Sequence, residues 1–221
     1  MGQGGLSISI NGNVIGQDGH GINAYNSAND VMSSTVIYQA AGTTITGASD
    51  GIHAENHAGS LTITALGVVT GQTDDGIYAN NAGGSGTLTI TTGSGAITGT
   101  GGTGIEAWAG RSLVMDINGA VTGGADYGIR TVTGAGHMTV ITLHAGVAVS
   151  ATSGLAIRNN VGDSTIQALY GSSISGEIHL EGGSDNLYFR TGSDFTGVTV
   201  LTAVTISARA TATSMPCISM A

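Results

Sequence analysis

The chain has 221 residues, of which 39 are Gly, one is Pro and one is Cys, and a net charge of −9 arises from 14 acidic residues and five Arg. A single Pro excludes collagen, and a 40% hydrophobic share with only 9% charged residues excludes an intrinsically disordered chain. There is no Lys, and Arg111, Arg130, Arg158, Arg190 and Arg209 are spread along the chain, whereas a phosphate-tracking surface needs clustered Lys and Arg; nucleic acid and anionic membrane are poor partner candidates.

In chain order the sequence is a repeat. Each copy opens on an alternating run, continues through a short run ending in Gly, turns, and closes on Gly-Ile-x-Ala. The first copy reads Leu6-Ser7-Ile8-Ser9-Ile10, Val14-Ile15-Gly16, then Gly21-Ile22-Asn23-Ala24. The second reads Thr35-Val36-Ile37, Ile45-Thr46-Gly47 and Gly51-Ile52-His53-Ala54; the third Leu61-Thr62-Ile63-Thr64, Val69-Thr70-Gly71 and Gly76-Ile77-Tyr78-Ala79. The fourth has Leu88-Thr89-Ile90-Thr91, Ile97-Thr98-Gly99 and Gly104-Ile105-Glu106-Ala107. Weaker copies end at Gly128-Ile129-Arg130-Thr131 and Ala156-Ile157-Arg158-Asn159, and a seventh begins at Thr165, reaches Ile174-Ser175-Gly176 and departs from the pattern.

Period-2 runs rich in β-branched residues predict strands. Three strands in each copy cannot bury a face alone, so the copies stack. The expected fold is all-β: a single-stranded parallel β-helix of about seven three-strand rungs, very roughly 35 Å long at the usual strand spacing. Ile22, Ile52, Ile77, Ile105, Ile129 and Ile157 are the expected inward ladder, with Ala24, Ala54, Ala79 and Ala107 beside it. Asn23, His53, Tyr78, Glu106, Arg130 and Arg158 are expected to face outward. Gly is expected at the turns for its freedom to take positive φ. Asp18, Asp50, Asp74, Asp75 and Asp126 fall in the turn before the Gly-Ile position, and Asn26, Asn56 and Asn81 lie four residues after its Ile, where stacked amides can bond one another.

The Gly-Ile-x-Ala turns, the Thr-Ile-Thr strands and the segment Gly176-Glu177-Ile178-His179-Leu180-Glu181-Gly182-Gly183-Ser184-Asp185-Asn186-Leu187 resemble autotransporter passenger repeats over roughly residues 5 to 200. The resemblance implies a right-handed parallel β-helix that is exported through the outer membrane by a C-terminal barrel and acts in adhesion or carries an enzyme on its rod. This segment has no recognisable signal peptide, no aromatic-rich barrel and no globular enzyme domain, and it has no apolar run long enough to insert in a membrane. A lone Cys217 fits the resemblance and excludes a disulfide framework and a Cys-based metal cage. Residues 1–205 are expected to form the rod, as a piece of a longer passenger. Residues 206–221 hold no Gly but hold Pro216 and Cys217, and read as a disordered or foreign tail.

Candidate chemistry is sparse. Gly47-Ala48-Ser49-Asp50-Gly51 fits the nucleophile-elbow pattern, and Gly99-Thr100-Gly101-Gly102-Thr103-Gly104 fits the dinucleotide pattern, but neither is followed by the helix that its chemistry needs. No cofactor is expected; the weaker option is calcium at the turn residues Asp50, Asp74 and Asp75, with Gly182-Gly183-Ser184-Asp185 too short alone to close a calcium site. The histidines His20, His53, His57, His137, His144 and His179 show no metal-ligand spacing and are expected to be structural or surface residues, as are Trp108 and Tyr78.

The expected function is a non-catalytic, adhesive, surface-exposed rod whose partners are a host or neighbouring-cell surface, or another copy at the open rod ends. Two alternatives carry residues. A polysaccharide-active enzyme would use Glu106, Arg130 and Arg158 on consecutive rungs. An ice-binding solenoid would use the row Ser7/Ser9, Thr62/Thr64 and Thr89/Thr91, which Ile37 and Asp116 are expected to interrupt.

Overall fold

The computed structural model describes residues 4–28, 30–190, 192–201 and 217–220. Among these there is no helix; every strand pair is parallel, and the chain winds into a β-solenoid. The strands of one face form an eight-stranded sheet: Leu6–Ile10, Thr35–Gln39, Leu61–Ala65, Leu88–Thr92, Leu113–Ile117, Met138–Leu143, Asp163–Ala168 and Asp185–Phe189. A second face starts with Val14–Gly16, Thr44–Gly47 and Val68–Gly71, and a third with Ile22–Asn26, Ile52–Asn56 and Ile77–Asn81.

Through the fifth turn the second and third faces are separate strands joined by a tight corner. In the sixth they fuse into the single strand Ala148–Asn159, and in the seventh into Ser173–Leu180, which joins the two faces in one sheet. The sequence pattern breaks at Gly176, yet Asp185–Phe189, Asp194–Thr196 and Val198–Leu201 continue the stack by a further turn. Of the tail, residues 206–216 and 221 lie outside the described residues; Cys217–Met220 is a strand beside Val198–Leu201.

Alternation decides what is buried, because successive strand residues point to opposite faces. Leu61–Ala65, Leu88–Thr92 and Ile105–Ala109 each alternate buried and half-buried side chains. The registers stack the inward residues into columns. On the third face Ile22, Ile52, Ile77, Ile105, Ile129, Ile157 and Ile178 are aligned, all fully buried except Ile22 on the first turn. On the first face Ile8, Ile37, Ile63, Ile90, Met115, Ile141 and Ile166 form another column. Ile37 is therefore inward and fully buried, not an interruption of the outward Thr row. That row is broken by Val36 and Tyr38 on the second turn, and by Val114 and Asp116 on the fifth. Each fully buried Ile contributes roughly 1.5–3 kcal/mol of burial free energy, so the columns are the main cohesive force between turns.

The glycines act differently from the expected turn role. Only eleven of the described glycines have positive φ. Gly16, Gly47, Gly71, Gly99 and Gly123 are not among them, and are aligned across five turns. A Cβ on any of them would lie 1.8–2.1 Å from the carbonyl oxygen of the residue before the Gly-Ile position: His20, Asp50, Asp75, Thr103 or Tyr127. Gly is required there because two stretches of backbone touch at the corner.

A polar column runs through the core at the opposite end of the third-face strands. Asn56 Oδ1 accepts hydrogen bonds from Asn26 Nδ2 at 2.9 Å and Thr35 Oγ1 at 3.0 Å. Asn56 Nδ2 donates to Asn81 Oδ1 at 2.7 Å and to the Ala58 carbonyl. All four hydrogen-bonding positions of this buried amide are thus used, and three turns are tied together. Asn56→Ala should cost about 2–4 kcal/mol in urea unfolding, since it strands buried partners on both neighbouring turns. A loss below about 1 kcal/mol would mean that water replaces the amide.

Candidate functional site

The densest cluster of titratable side chains lies where the first three turns enter the third face. The residue preceding each Gly-Ile pair is His20, Asp50, Asp75 and then Thr103. Two residues after each of these pairs begins, the outward position carries Asn23, His53, Tyr78 and Glu106. Stacking therefore places His20 and His53, 33 residues apart, on either side of one carboxylate.

His53 Nδ1 lies 2.7 Å from Asp50 Oδ2, and His20 Nδ1 lies 3.0 Å from the same oxygen. The His53 contact is a hydrogen bond, whereas His20 Nδ1 is buried with no hydrogen-bond partner. The two imidazole rings are 4.4 Å apart, and the other face of His53 stacks on Tyr78 at 4.7 Å. His53 Nε2 lies 3.2 Å from Glu55 Oε1, and His57 Nε2 is 3.6 Å from Glu55 Oε2.

The carboxylates also cap backbone. Asp50 Oδ1 accepts the Asp75 N–H at 3.0 Å, and Asp75 Oδ1 accepts the Thr103 N–H at 2.7 Å. Asp75 is 6% exposed, and this burial pushes its carboxyl up to about 7. The Thr103 N–H opposes the shift, while the charges of Glu106, Asp74 and Asp50 add to it. Burial also raises Asp74, with help from Asp50 and Asp126. His53 is raised by its hydrogen bond to Asp50, against the effect of its own burial, and Glu55 raises it further. Asp50, Asp74 and Asp75 each offer an oxygen within 4.8 Å of the others, so the trio read as a weak calcium option is brought together.

Further along the same face Glu106, Arg130 and Arg158 occupy consecutive turns in register. Glu106 Oε1 accepts the Trp108 Nε1–H at 2.7 Å and an Arg130 Nη1–H at 3.1 Å, and the Arg130 guanidinium sits 5.2 Å above the Trp108 ring. Arg158 donates to Glu181 Oε2 and to the Tyr127 hydroxyl, each at 2.9 Å. Trp108 thus packs within an ion pair. The G-x-S-x-G match around Ser49 and the match at Gly99–Gly104 are both corners between strands. Asp185 is the buried first residue of a strand and accepts the Ser164 hydroxyl at 2.5 Å. A shallow hollow between the first and second faces, lined by Ala41, Thr43, Leu66, Gly67 and Ser94 among others, has no ionisable side chain in its lining.

The His20–Asp50–His53 grouping was not visible in linear spacing. The signal was available only by aligning repeats and reading down two adjacent columns. Compared with known proteins, the chain matches no family model, no curated protein and no solved structure.

Proposed function

We propose that the chain is a non-catalytic presenting rod, an adhesive β-solenoid of the autotransporter-passenger kind that works at a cell surface as part of a longer exported chain. The observation that carries this reading is the division between the two sides of each third-face strand. The inward position is Ile on seven successive turns, while the outward position runs through Asn23, His53, Tyr78, Glu106, Arg130, Arg158 and His179. A constant scaffold with a varied face suits recognition, as in other solenoids. The motifs that resemble passenger repeats lie on these same strands and corners. The pairing of Glu106 with Arg130, and of Arg158 with Glu181, leaves these groups engaged with one another rather than set for general acid or base work.

A second copy at the rod end is a further partner. Among the described residues, Leu6–Ile10, Val14–Gly16 and Ile22–Asn26 each have a strand neighbour on one side only, and Leu6, Ile8, Val14 and Ile22 are only partly buried. Such edges accept strands.

The test pairs retention with turnover. Beads coated with the chain should be retained on host-cell or bacterial surface polysaccharide, and the polymer should keep its length. Release of new reducing or unsaturated chain ends, lost on Arg130→Ala, would instead establish the polysaccharide-active enzyme.

A further inference from the structure

We propose that His20, Asp50 and His53 form a binding site for one divalent transition-metal ion of the imidazole-preferring class, with Zn2+ as its representative. The three side chains come from two adjacent turns, and their ligand atoms all lie within 4.8 Å of one another. Both imidazoles direct Nδ1 at the same carboxylate oxygen, at 3.0 and 2.7 Å. Tetrahedral Zn2+ with bonds of about 2.1 Å holds its ligand atoms about 3.4 Å apart, so the two Nδ1 atoms need draw back from Asp50 Oδ2 by only about 0.4–0.7 Å to admit the ion.

Two supporting contacts suit ligation. A metal-bound imidazole ordinarily donates its other N–H to a carboxylate, which fixes the ligating nitrogen. His53 has this arrangement, with Nε2 3.2 Å from Glu55 Oε1. Asp50 in turn is held through Oδ1 by the Asp75 N–H at 3.0 Å, which leaves Oδ2 for the two histidines.

His20 Nδ1 is buried and makes no well-directed hydrogen bond, although Asp50 Oδ2 lies 3.0 Å away. A metal ion between the two would take up the Nδ1 lone pair that this misdirected contact leaves unused. The donor set selects the ion. Two imidazole nitrogens and one carboxylate suit Zn2+ and its neighbours, whereas Ca2+ requires six to eight oxygens. Asp74 groups with Asp50 and Asp75 rather than with the histidines, so water is left to complete the shell. A bound ion would staple the first turn, whose core residue Ile22 is only partly buried, to the second. Ligands that bind only the folded state stabilise it by mass action.

The experiment uses the full chain, stripped with chelator and dialysed against Zn2+ or Ca2+ in parallel. One Zn2+ per chain is expected, with micromolar or tighter affinity and a raised melting temperature. His20→Gln and His53→Gln should each weaken binding by at least about 100-fold, Glu55→Gln by about 10-fold, and His137→Gln not at all. Co2+ on the unmodified chain provides a reading that does not depend on the variants' folding: two hyperfine-shifted, exchangeable Nε2 protons are expected from two Nδ1-ligated rings. No binding at about 100 μM Zn2+, binding unchanged by His20→Gln, a preference for Ca2+, or fewer than two shifted imidazole protons would each overturn the site.

Discussion

Gly71→Ala is expected to destabilise the rod by at least about 4 kcal/mol, a loss that belongs to the exceptional tail of single substitutions. The added Cβ would stand 2.0 Å from the Asp75 carbonyl oxygen and 2.8 Å from that of Ser49. Both are far inside the roughly 3.5 Å of non-bonded contact. Neither obstacle is a flexible side chain. The Asp75 carbonyl accepts the Gly51 N–H, so moving it breaks the ladder at the corner. Gly42→Ala provides the comparison. Gly42 has φ +74 and open space around its Cβ position, so Ala there incurs only the left-handed backbone penalty of about 1–2 kcal/mol. Urea unfolding followed by circular dichroism separates the two. Equal losses would show that backbone contact at the corner does not limit the residue.

Asp75→Asn is expected to stabilise the chain at pH 8 and leave it unchanged at pH 3. The unfolded carboxyl releases its proton near pH 4, whereas the folded one holds it until about 7. Burial therefore favours the protonated folded state, and its contribution is complete below the unfolded value. It is lost as pH rises from about 4 to 7 and is flat above that. Roughly 3–4 kcal/mol is at stake at pH 8, as an order of magnitude. Asn keeps an oxygen that can accept the Thr103 N–H, so the cap survives while the buried charge does not. Unfolding free energies of both proteins across this range, with chelator present, should diverge between pH 4 and 7. Parallel curves would refute a buried ionisation at this position.

The inward columns were legible in the sequence because the same residue class recurs at nearly constant spacing, and Ile77 can be placed without any other information. Four features were not. The first-face phase of the second turn was misjudged because Thr35-Val36-Ile37 starts on Thr, where Leu61 and Leu88 start the next runs; aligning Ile37 with Ile63 corrects it. The last turn lacks a Gly-Ile pair and instead pairs Ile178 with Thr199, so its continuation rested on geometry alone. The His20–Asp50–His53 cluster joins positions that are equivalent in different columns, and proximity along a solenoid axis is invisible to motifs that count along the chain. The corner glycines were recognised by number but not by cause, since backbone approach leaves no trace in a local pattern.

The fused strands of the sixth and seventh turns have a mechanical consequence. Hydrogen bonds between turns run along the rod, so tension on its ends loads them one turn after another rather than all at once. In the early turns a peeled third-face strand can stop at the Gly corner. At Ala148–Asn159 the corner is replaced by a register shift between Ser150 and Ile157 within one continuous strand, which pairs with both Val121–Gly123 and Tyr127–Thr133 on one side and with Ser173–Leu180 on the other. Two faces must let go together, so under load this region should be the last clasp of the rod, with the separate-cornered turns serving as its extensible length.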